Sequence, residues 1–321
     1  MKGKNGMKIL VTIPFTEGQK EKIRTAAGSM DVIFLSEREV TEEMLVDADI
    51  LWGNLSLNLV QKASKLKWLQ LNSAGADSYC KPGILKEETI LTNASGAYDV
   101  SVSEEMVAAT LAMFKKLYHY YDNQKQQLWR DEGMVQSAYG ACIVVLGLGN
   151  IGLSYARKMK AMGSYIIGVK RHAGIVPEGV DEVCTLEQLG ECLKRADLVV
   201  SVLPGTAETA YLMGKEEFAA MKKTAYFMNV GRGNLVESRA LYEALEQEEI
   251  AGAMLDVTEI EPLPTDHYLW TAKNLYITPH VAGGYHIPVT LEVIADICVK
   301  NLKHYLEGEP LEHVVNKALG Y

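Results

Sequence analysis

Cysteine is scarce in this chain, and nothing in its spacing would staple the fold or ligate a metal. The five residues, Cys80, Cys142, Cys184, Cys192 and Cys298, form no C-x-x-C pair. An odd number without metal-ligand spacing argues against a disulfide scaffold or zinc module. It points instead to reduced thiols in a cytoplasmic protein, with no metal expected. Long apolar runs are also missing. The run Ile9 to Ile13 is too short for the core of a secretion signal, and no stretch approaches a membrane span. Positive charge is in deficit: 32 Lys and Arg against 41 Asp and Glu leave a net charge of −9. That balance argues against broad binding to nucleic acid or to an anionic membrane, although a local basic pocket remains compatible with it.

What is present is ordinary for a soluble α/β protein: 321 residues, 48% hydrophobic and 23% charged. The length suffices for two domains, each with its own core. The stretch that organises the chain runs from Ala141 to Lys170. An apolar strand, Ala141 to Leu146, meets Gly147-Leu148-Gly149-Asn150-Ile151-Gly152. A helical segment to Met162 and a second strand, Tyr165 to Val169, follow. Glycines at these three positions suit a tight turn, close approach of backbone to a pyrophosphate, and close packing of helix on strand. The helix N-terminus then offers N–H groups and a favourable dipole to phosphate oxygens. The expectation is a dinucleotide site at Gly147, Gly149, Asn150, Ile151 and Gly152.

Taken in order, the chain opens with a strand over Lys8–Ile13, followed by Pro14-Phe15-Thr16-Glu17-Gly18, which lacks the glycine fingerprint. Short apolar runs recur at Asp31–Leu35, Asp49–Trp52, Trp68–Leu71 and Ile90–Thr92, with Thr41–Val46 helical after an N-cap. Strands alternating with helices imply a parallel sheet. Small residues at Ser73-Ala74-Gly75-Ala76 leave a strand and could expose successive amides to an anion. Ser101-x-x-Glu104 reads as a capping box opening a long helix from Val102 to about Tyr121, after a hinge-like Asn93–Ala97. Tyr118, His119, Tyr120, Tyr121 and Trp129 read as core or as a subunit interface. Further strands are expected at Asp197–Leu203, Ala225–Val230, Gly252–Val257 and Leu275–Thr278. Thr185-x-x-Gln188 is expected to cap one intervening helix, and Glu237–Glu248 to form another. Pro288 to Glu307 reads as a long amphipathic helix that returns to the first domain. The expected division is residues 1–99 with 288–321 as the substrate domain, and 100–287 as the dinucleotide-binding domain.

In an open α/β sheet, ligands sit beyond the carboxyl ends of the strands. That rule selects four loops: Leu203-Pro204-Gly205, Asn229 to Gly233, Asp256-Val257-Thr258, and Thr278-Pro279-His280. They should converge on one crevice. Arg232 lies between two glycines, and an Arg fork holds a carboxylate bidentately. His280 can exchange a hydroxyl proton near neutrality. Glu261, in Glu259-Ile260-Glu261-Pro262, could orient that imidazole. Each residue alone has a bland reading, but their joint placement at strand ends favours a catalytic set.

In order and spacing, these motifs resemble those of the D-isomer-specific 2-hydroxyacid dehydrogenases. The likeness rests on Gly147–Gly152, Asn229-Val230-Gly231-Arg232-Gly233, Asp256 with Glu261-Pro262-Leu263, and Thr278-Pro279-His280-Val281-Ala282-Gly283. Ser73–Asp77 and Val102–Glu105 fit the same pattern. The resemblance implies two Rossmann-like, doubly wound parallel-sheet domains with the active site in the cleft between them, commonly in a homodimer. It implies that Arg232 binds the substrate carboxylate, that His280 is the acid/base with Glu261 as partner, and that Ala74 and Gly75 offer amides. Leu203, Pro204, Thr209, Val230, Gly231 and Gly283 would line the cofactor, with Asp256 facing the nicotinamide. The implied reaction is hydride transfer between a nicotinamide cofactor and a small 2-keto acid or D-2-hydroxy acid.

One departure bears on the cofactor. NAD-dependent members of that family carry an acid at the end of the second strand, for the adenosine ribose. Here Ile166-Ile167-Gly168-Val169 runs into Lys170-Arg171-His172. Three potential cations there favour a ribose 2′-phosphate, hence NADP(H), with NAD(H) use still possible. Glyoxylate/hydroxypyruvate reductase-like activity is the expectation. The alternatives are a phosphite or formate dehydrogenase and a nucleotide-sensing corepressor on the same fold. Formate enzymes pair the His with Gln rather than Glu. A methyltransferase would not need the Arg/Glu/His set. At this length no extra regulatory domain of the kind found in many 3-phosphoglycerate dehydrogenases is expected.

Overall fold

The computed structural model describes residues 6–172 and 174–320. Its strands are β1 (Lys8–Val11), β2 (Asp31–Phe34), β3 (Ile50–Trp52), β4 (Trp68–Gln70), β5 (Ile90–Thr92), β6 (Cys142–Leu146), β7 (Tyr165–Val169), β8 (Glu182–Cys184), β9 (Leu198–Ser201), β10 (Tyr226–Asn229), β11 (Gly252–Leu255) and β12 (Leu275–Ile277). Its α-helices are α1 (Glu17–Ala27), α2 (Glu42–Val46), α3 (Leu57–Val60), α4 (Asp99–Phe114), α5 (Leu117–Lys125), α6 (Asn150–Ala161), α7 (Leu189–Arg195), α8 (Lys215–Ala220), α9 (Ser238–Glu246) and α10 (Pro288–Glu307). By contact the chain divides into two compact units, Met1–Tyr98 with Tyr285–Tyr321, and Asp99–Gly284. Among the described residues, no helix is long and apolar enough to cross a membrane.

The first unit is a parallel sheet in the order β2-β1-β3-β4-β5. Its central strands β3 and β4 are buried throughout, as a parallel sheet covered on both faces requires. Leu10, Leu45, Leu51, Leu69 and Leu91 are buried together on one side. Trp52 and Trp68 are fully buried, edge to face at 5.7 Å. Thr16 and Gln19 form a reciprocal capping box that starts α1, and α1 packs along α10. Gln19 Nε2 donates to Glu292 of α10 at 2.9 Å.

The loop after β4 carries Ala74 and Gly75. The carbonyl of Ser73 accepts from the Ala94 amide at 2.9 Å. That of Ala74 accepts from Asn93 Nδ2 at 2.7 Å, and that of Gly75 from Ser73 Oγ at 2.6 Å. In a trans peptide the N–H points opposite to the preceding C=O. The Ala74 and Gly75 amides therefore face away from Ala94 and Asn93, the groups that hold the preceding carbonyls.

The second unit is a seven-stranded parallel sheet in the order β12-β11-β10-β9-β6-β7-β8. The strand–glycine turn–helix–strand reading of residues 141–170 holds. Two other expectations do not. Ser101 is no N-cap: α4 already begins at Asp99, and the Ser101 hydroxyl donates to the Ala282 carbonyl at 2.7 Å. Nor is the helix continuous to Tyr121. Lys116 adopts φ 54°, and α5 starts on a new axis. Tertiary packing overrides the local pattern here: Phe114 is buried, and Tyr118 stacks on Tyr276 with ring centroids 3.7 Å apart. The edge strand β8 has no apolar run to announce it. It forms because β7 leaves an unpaired edge, to which Asp181 anchors through its carboxylate on the Ile166 amide at 2.8 Å.

Between α4 and α6 lies a polar seam. Lys158 Nζ donates to Ser103 and Ser154 Oγ at 2.8 and 3.0 Å. Asp99, in the first helical turn, has a buried Oδ1 with no hydrogen-bond partner. Burial pushes its carboxyl up to about 6, and the nearby Lys158 charge only partly offsets this. An acid whose folded pKa exceeds its unfolded value stabilises the fold while protonated, and that contribution is lost as pH rises through the folded pKa. Asp99→Asn stays neutral throughout. Its stability relative to wild type should therefore improve between pH 4 and pH 8, by roughly 1–3 kcal/mol. Thermal unfolding at the two pH values checks this, and an equal difference at both would refute it.

Candidate active site

The second unit presents its strand ends through loops that meet backbone to backbone. Gly152, in the first turn of α6, is buried, and a Cβ there would lie 2.0 Å from the Gly147 carbonyl oxygen. Gly147 itself sits at φ 100°. Gly149 differs: nothing lies within 4 Å of the position its Cβ would take, and the residue is exposed. The glycine turn is thus tight toward the sheet and open at the helix N-terminus. That open space, lined by the first amides of Asn150 and Ile151, fits a pyrophosphate.

The loops after β9, β10 and β11 interlock. A Cβ on Gly233 would come within 1.9 Å of the Thr258 carbonyl oxygen, and one on Gly205 within 3.1 Å of Arg232 Cγ. Thr209 is buried, and its hydroxyl donates to the Pro204 carbonyl at 2.7 Å. Val230 follows β10, with its amide on Ser201 O at 3.0 Å. Asn229, wholly buried, accepts from the Gly231 amide at 3.1 Å and donates to the Arg232 carbonyl at 2.8 Å. It clamps both ends of the turn that presents Arg232. The Arg232 side chain is partly buried, with Nη1 on the Gly231 carbonyl at 2.9 Å.

Asp256 directly follows β11 and is buried. Its Oδ1 accepts from the Thr278 hydroxyl at 2.7 Å and the Val281 amide at 2.9 Å, and its Oδ2 from the Ala282 amide at 3.2 Å. Its backbone carbonyl accepts the His280 amide at 2.8 Å. His280 is held at φ 54°, a left-handed conformation uncommon for a side chain of that size. From that position His280 Nδ1 lies 2.8 Å from Glu261 Oε2. Glu261 Oε1 in turn accepts the Thr258 amide at 3.1 Å. Both side chains keep solvent access, at 49% and 39% exposure. They line a cavity of about 410 Å³ with Leu263, Trp270 and Ile277. Gly283 follows in the turn after Ala282.

The four strand-end loops therefore converge as expected. Arg232, Glu261 and His280 are built on interlocked loops of one sheet. At the far side, Lys170 follows β7 with its amide on the Cys184 carbonyl at 3.1 Å, and its Nζ lies against Gly174. Arg171 makes an ion pair with Glu208, and His172 is exposed. Sequence reasoning did not single out Asn229 as a clamp, nor Thr278 or Glu208. The signal for Asn229 was available: a polar residue ending a buried strand just before Gly-Arg-Gly. Among the described residues no group of three His, Cys, Asp or Glu is placed to hold a metal ion.

Residues 107–282 match the family description "D-isomer specific 2-hydroxyacid dehydrogenase, NAD binding domain". A D-3-phosphoglycerate dehydrogenase of Methanocaldococcus jannaschii is 33% identical over 97% of this chain, and the chain spans 59% of that relative's length. A D-isomer specific 2-hydroxyacid dehydrogenase family protein from Aeromonas salmonicida superposes with a TM-score of 0.86 at 32% identity, covering 97% of this chain and 99% of the other. An NADPH-dependent glyoxylate/hydroxypyruvate reductase of Sinorhizobium meliloti, solved with NADP and sulfate, has a TM-score of 0.81 at 27% identity, covering 98% and 100%.

The two kinds of glycine contact predict opposite phenotypes. Gly152→Ala should destabilise the chain, because the new methyl meets backbone that cannot yield. Gly149→Ala should leave the melting temperature of the unliganded protein within a degree or two. It should still raise the dissociation constant for a dinucleotide, on the order of tenfold or more, by filling the open space. Differential scanning fluorimetry and cofactor titration separate the two. A destabilised Gly149→Ala variant would remove the distinction.

Proposed function

The chain belongs to the D-isomer-specific 2-hydroxyacid dehydrogenase family, and from that premise we propose that it reduces a small 2-keto acid to the D-2-hydroxy acid, with NADP(H) preferred over NAD(H). The observation that carries the reading is the 2.8 Å Glu261–His280 contact, on loops interlocked with the one that presents Arg232. The glyoxylate/hydroxypyruvate reductase of Sinorhizobium meliloti supports both the substrate class and the cofactor.

Two-electron reduction of the carbonyl carbon is the chemistry that a bound nicotinamide supplies. Gly147, Gly149, Asn150, Ile151 and Gly152 would hold the pyrophosphate. Leu203, Pro204, Thr209, Val230, Gly231 and Gly283 would line the rest, with Lys170, Arg171 and His172 at a 2′-phosphate. Arg232 holds the substrate carboxylate and stabilises charge developing on the carbonyl oxygen. We assign the Ala74 and Gly75 amides to carboxylate binding as well. His280 donates a proton from Nε2 to that oxygen. Glu261, bonded at Nδ1, fixes the orientation of the ring. Asp256 braces the loop that seats His280 and would face the nicotinamide.

We assign substrate binding to residues 1–99 with 288–321 and dinucleotide binding to 100–287, a division the contact units support. We also propose a cytoplasmic homodimer. Five free cysteines support the compartment. Exposed Tyr121 and fully exposed Trp129, in the segment after α4, support a subunit contact.

A panel of glyoxylate, hydroxypyruvate, pyruvate, phenylpyruvate and ketopantoate, followed by near-ultraviolet absorbance of the reduced cofactor, tests the activity. Inertness toward all of them would sink the reading. Within it, His280→Ala should lower kcat by about 10²–10⁴-fold while cofactor affinity, measured by fluorescence, stays near wild type. Glu261→Gln should cost less, since the ring keeps a hydrogen-bond partner but loses the charge. Near-normal turnover of His280→Ala would reassign the acid. For the cofactor, Lys170→Asp with Arg171→Ala should narrow or reverse the NADPH:NADH ratio of kcat/KM, on the order of tenfold or more. An unchanged ratio would place 2′-phosphate recognition elsewhere.

A further inference from the structure

We propose that Glu208 sets the strength of the preference for a 2′-phosphorylated nucleotide, by holding Arg171 until a 2′-phosphate displaces it; this rests on the cofactor reading above. Arg171 lies two residues beyond β7, and Glu208 lies on the loop after β9. Their ion pair joins positions 37 apart in sequence. In the sheet, β6 runs between β9 and β7. A side-chain bridge from one loop to the other passes beyond the carboxyl end of β6, where the glycine turn begins. That is where the adenosine half of a dinucleotide lies in an open α/β sheet.

The bridge is built for exchange. Both side chains are well exposed, at 39% for Arg171 and 64% for Glu208. Exposed pairs contribute little, so a competing anion exchanges with the carboxylate at small cost. A phosphate monoester brings more negative charge and three acceptor oxygens to the same guanidinium. Glu208 cannot then withdraw far, because its loop is tied. The Thr206 amide donates to Thr209 Oγ1 at 2.9 Å, and the Ala210 amide to the Thr206 carbonyl at 3.1 Å. The displaced carboxylate stays close enough to oppose the phosphate charge.

With an unphosphorylated ribose the logic reverses. Arg171 keeps its partner, and the Glu208 carboxylate is available to accept a ribose hydroxyl. The chain lacks an acid at the end of β7, and Glu208 brings one to the same region from the loop after β9. One side chain thus weakens the 2′-phosphorylated nucleotide and supports the plain one. It holds the two affinities closer together than Lys170 and Arg171 alone would.

The test uses the full chain and two probes without a nicotinamide, adenosine 2′,5′-bisphosphate and 5′-AMP, with affinities read by calorimetry. Glu208→Gln should tighten the bisphosphate about two- to tenfold and leave 5′-AMP unchanged or slightly weaker, so that the ratio widens. In an Arg171→Ala background the same substitution should have a clearly smaller effect, since the shared partner is gone. A ratio that is unchanged or narrower in Glu208→Gln overturns the proposal, because the carboxylate is then a surface contact or a brace for Arg171. Equal binding of both probes by the wild-type chain overturns the 2′-phosphate reading, and this inference with it. Preserved melting temperatures show that the variants fold.

Discussion

The buried carboxylate of Asp256 is the contact on which the candidate site depends. It is almost fully removed from water, a position that disfavours a charge unless hydrogen bonds replace hydration. Here the Thr278 hydroxyl and the Val281 and Ala282 amides supply them. Those three donors lie on one loop, so solvating the carboxylate and folding the loop are the same event. The loop in turn places His280 in a left-handed conformation that the residue would not choose alone. The hydrogen bonds that Thr278, Val281 and Ala282 make to Asp256 flank His280 on both sides and hold it in that conformation.

A second constraint acts between backbones. At Gly231 and Gly233 the neighbouring main chain comes closer than any side chain permits. Such contacts lock loops from different strands together without using polar side chains, which stay available for chemistry. Asn229 extends the same economy, since one buried amide side chain fixes both ends of the turn that carries Arg232. The result is a rigid frame made of small residues and buried hydrogen bonds. The long, charged side chains extend from its rim.

Legibility from sequence follows the range of the interaction. The β6–α6 turn, the strand-end loops and α10 were readable because their signals are local: glycine spacing, apolar runs that stop at polar loops, and a proline at a helix start. The Ser101 capping box misled because α4 begins two residues earlier, and the Ser101 hydroxyl is taken by the distant Ala282 carbonyl. The kink at Lys116 and the charged edge strand β8 were invisible for a related reason, since each is decided by what packs or pairs beside it. The Arg171–Glu208 pair has no sequence signature at all. Sequence could name Glu261 and His280 as partners only through their placement at strand ends; that Nδ1 is the ring atom facing Glu261 is a fact of geometry.

The contrast between Asp256 and Glu261 shows how one sheet edge uses two carboxylates differently. Asp256 is buried and bonded on both oxygens, so it is suited to hold a shape. Glu261 and His280 remain partly open to solvent. A proton donor must be recharged after each turnover, and a group sealed from water would do this slowly. A brace must keep its hydrogen bonds through the whole cycle, and burial protects them from competition by water. Burial and exposure are thus divided between the two acids according to what each must do. The division is set by position: Asp256 directly follows β11, whereas Glu261 sits five residues further out on the loop.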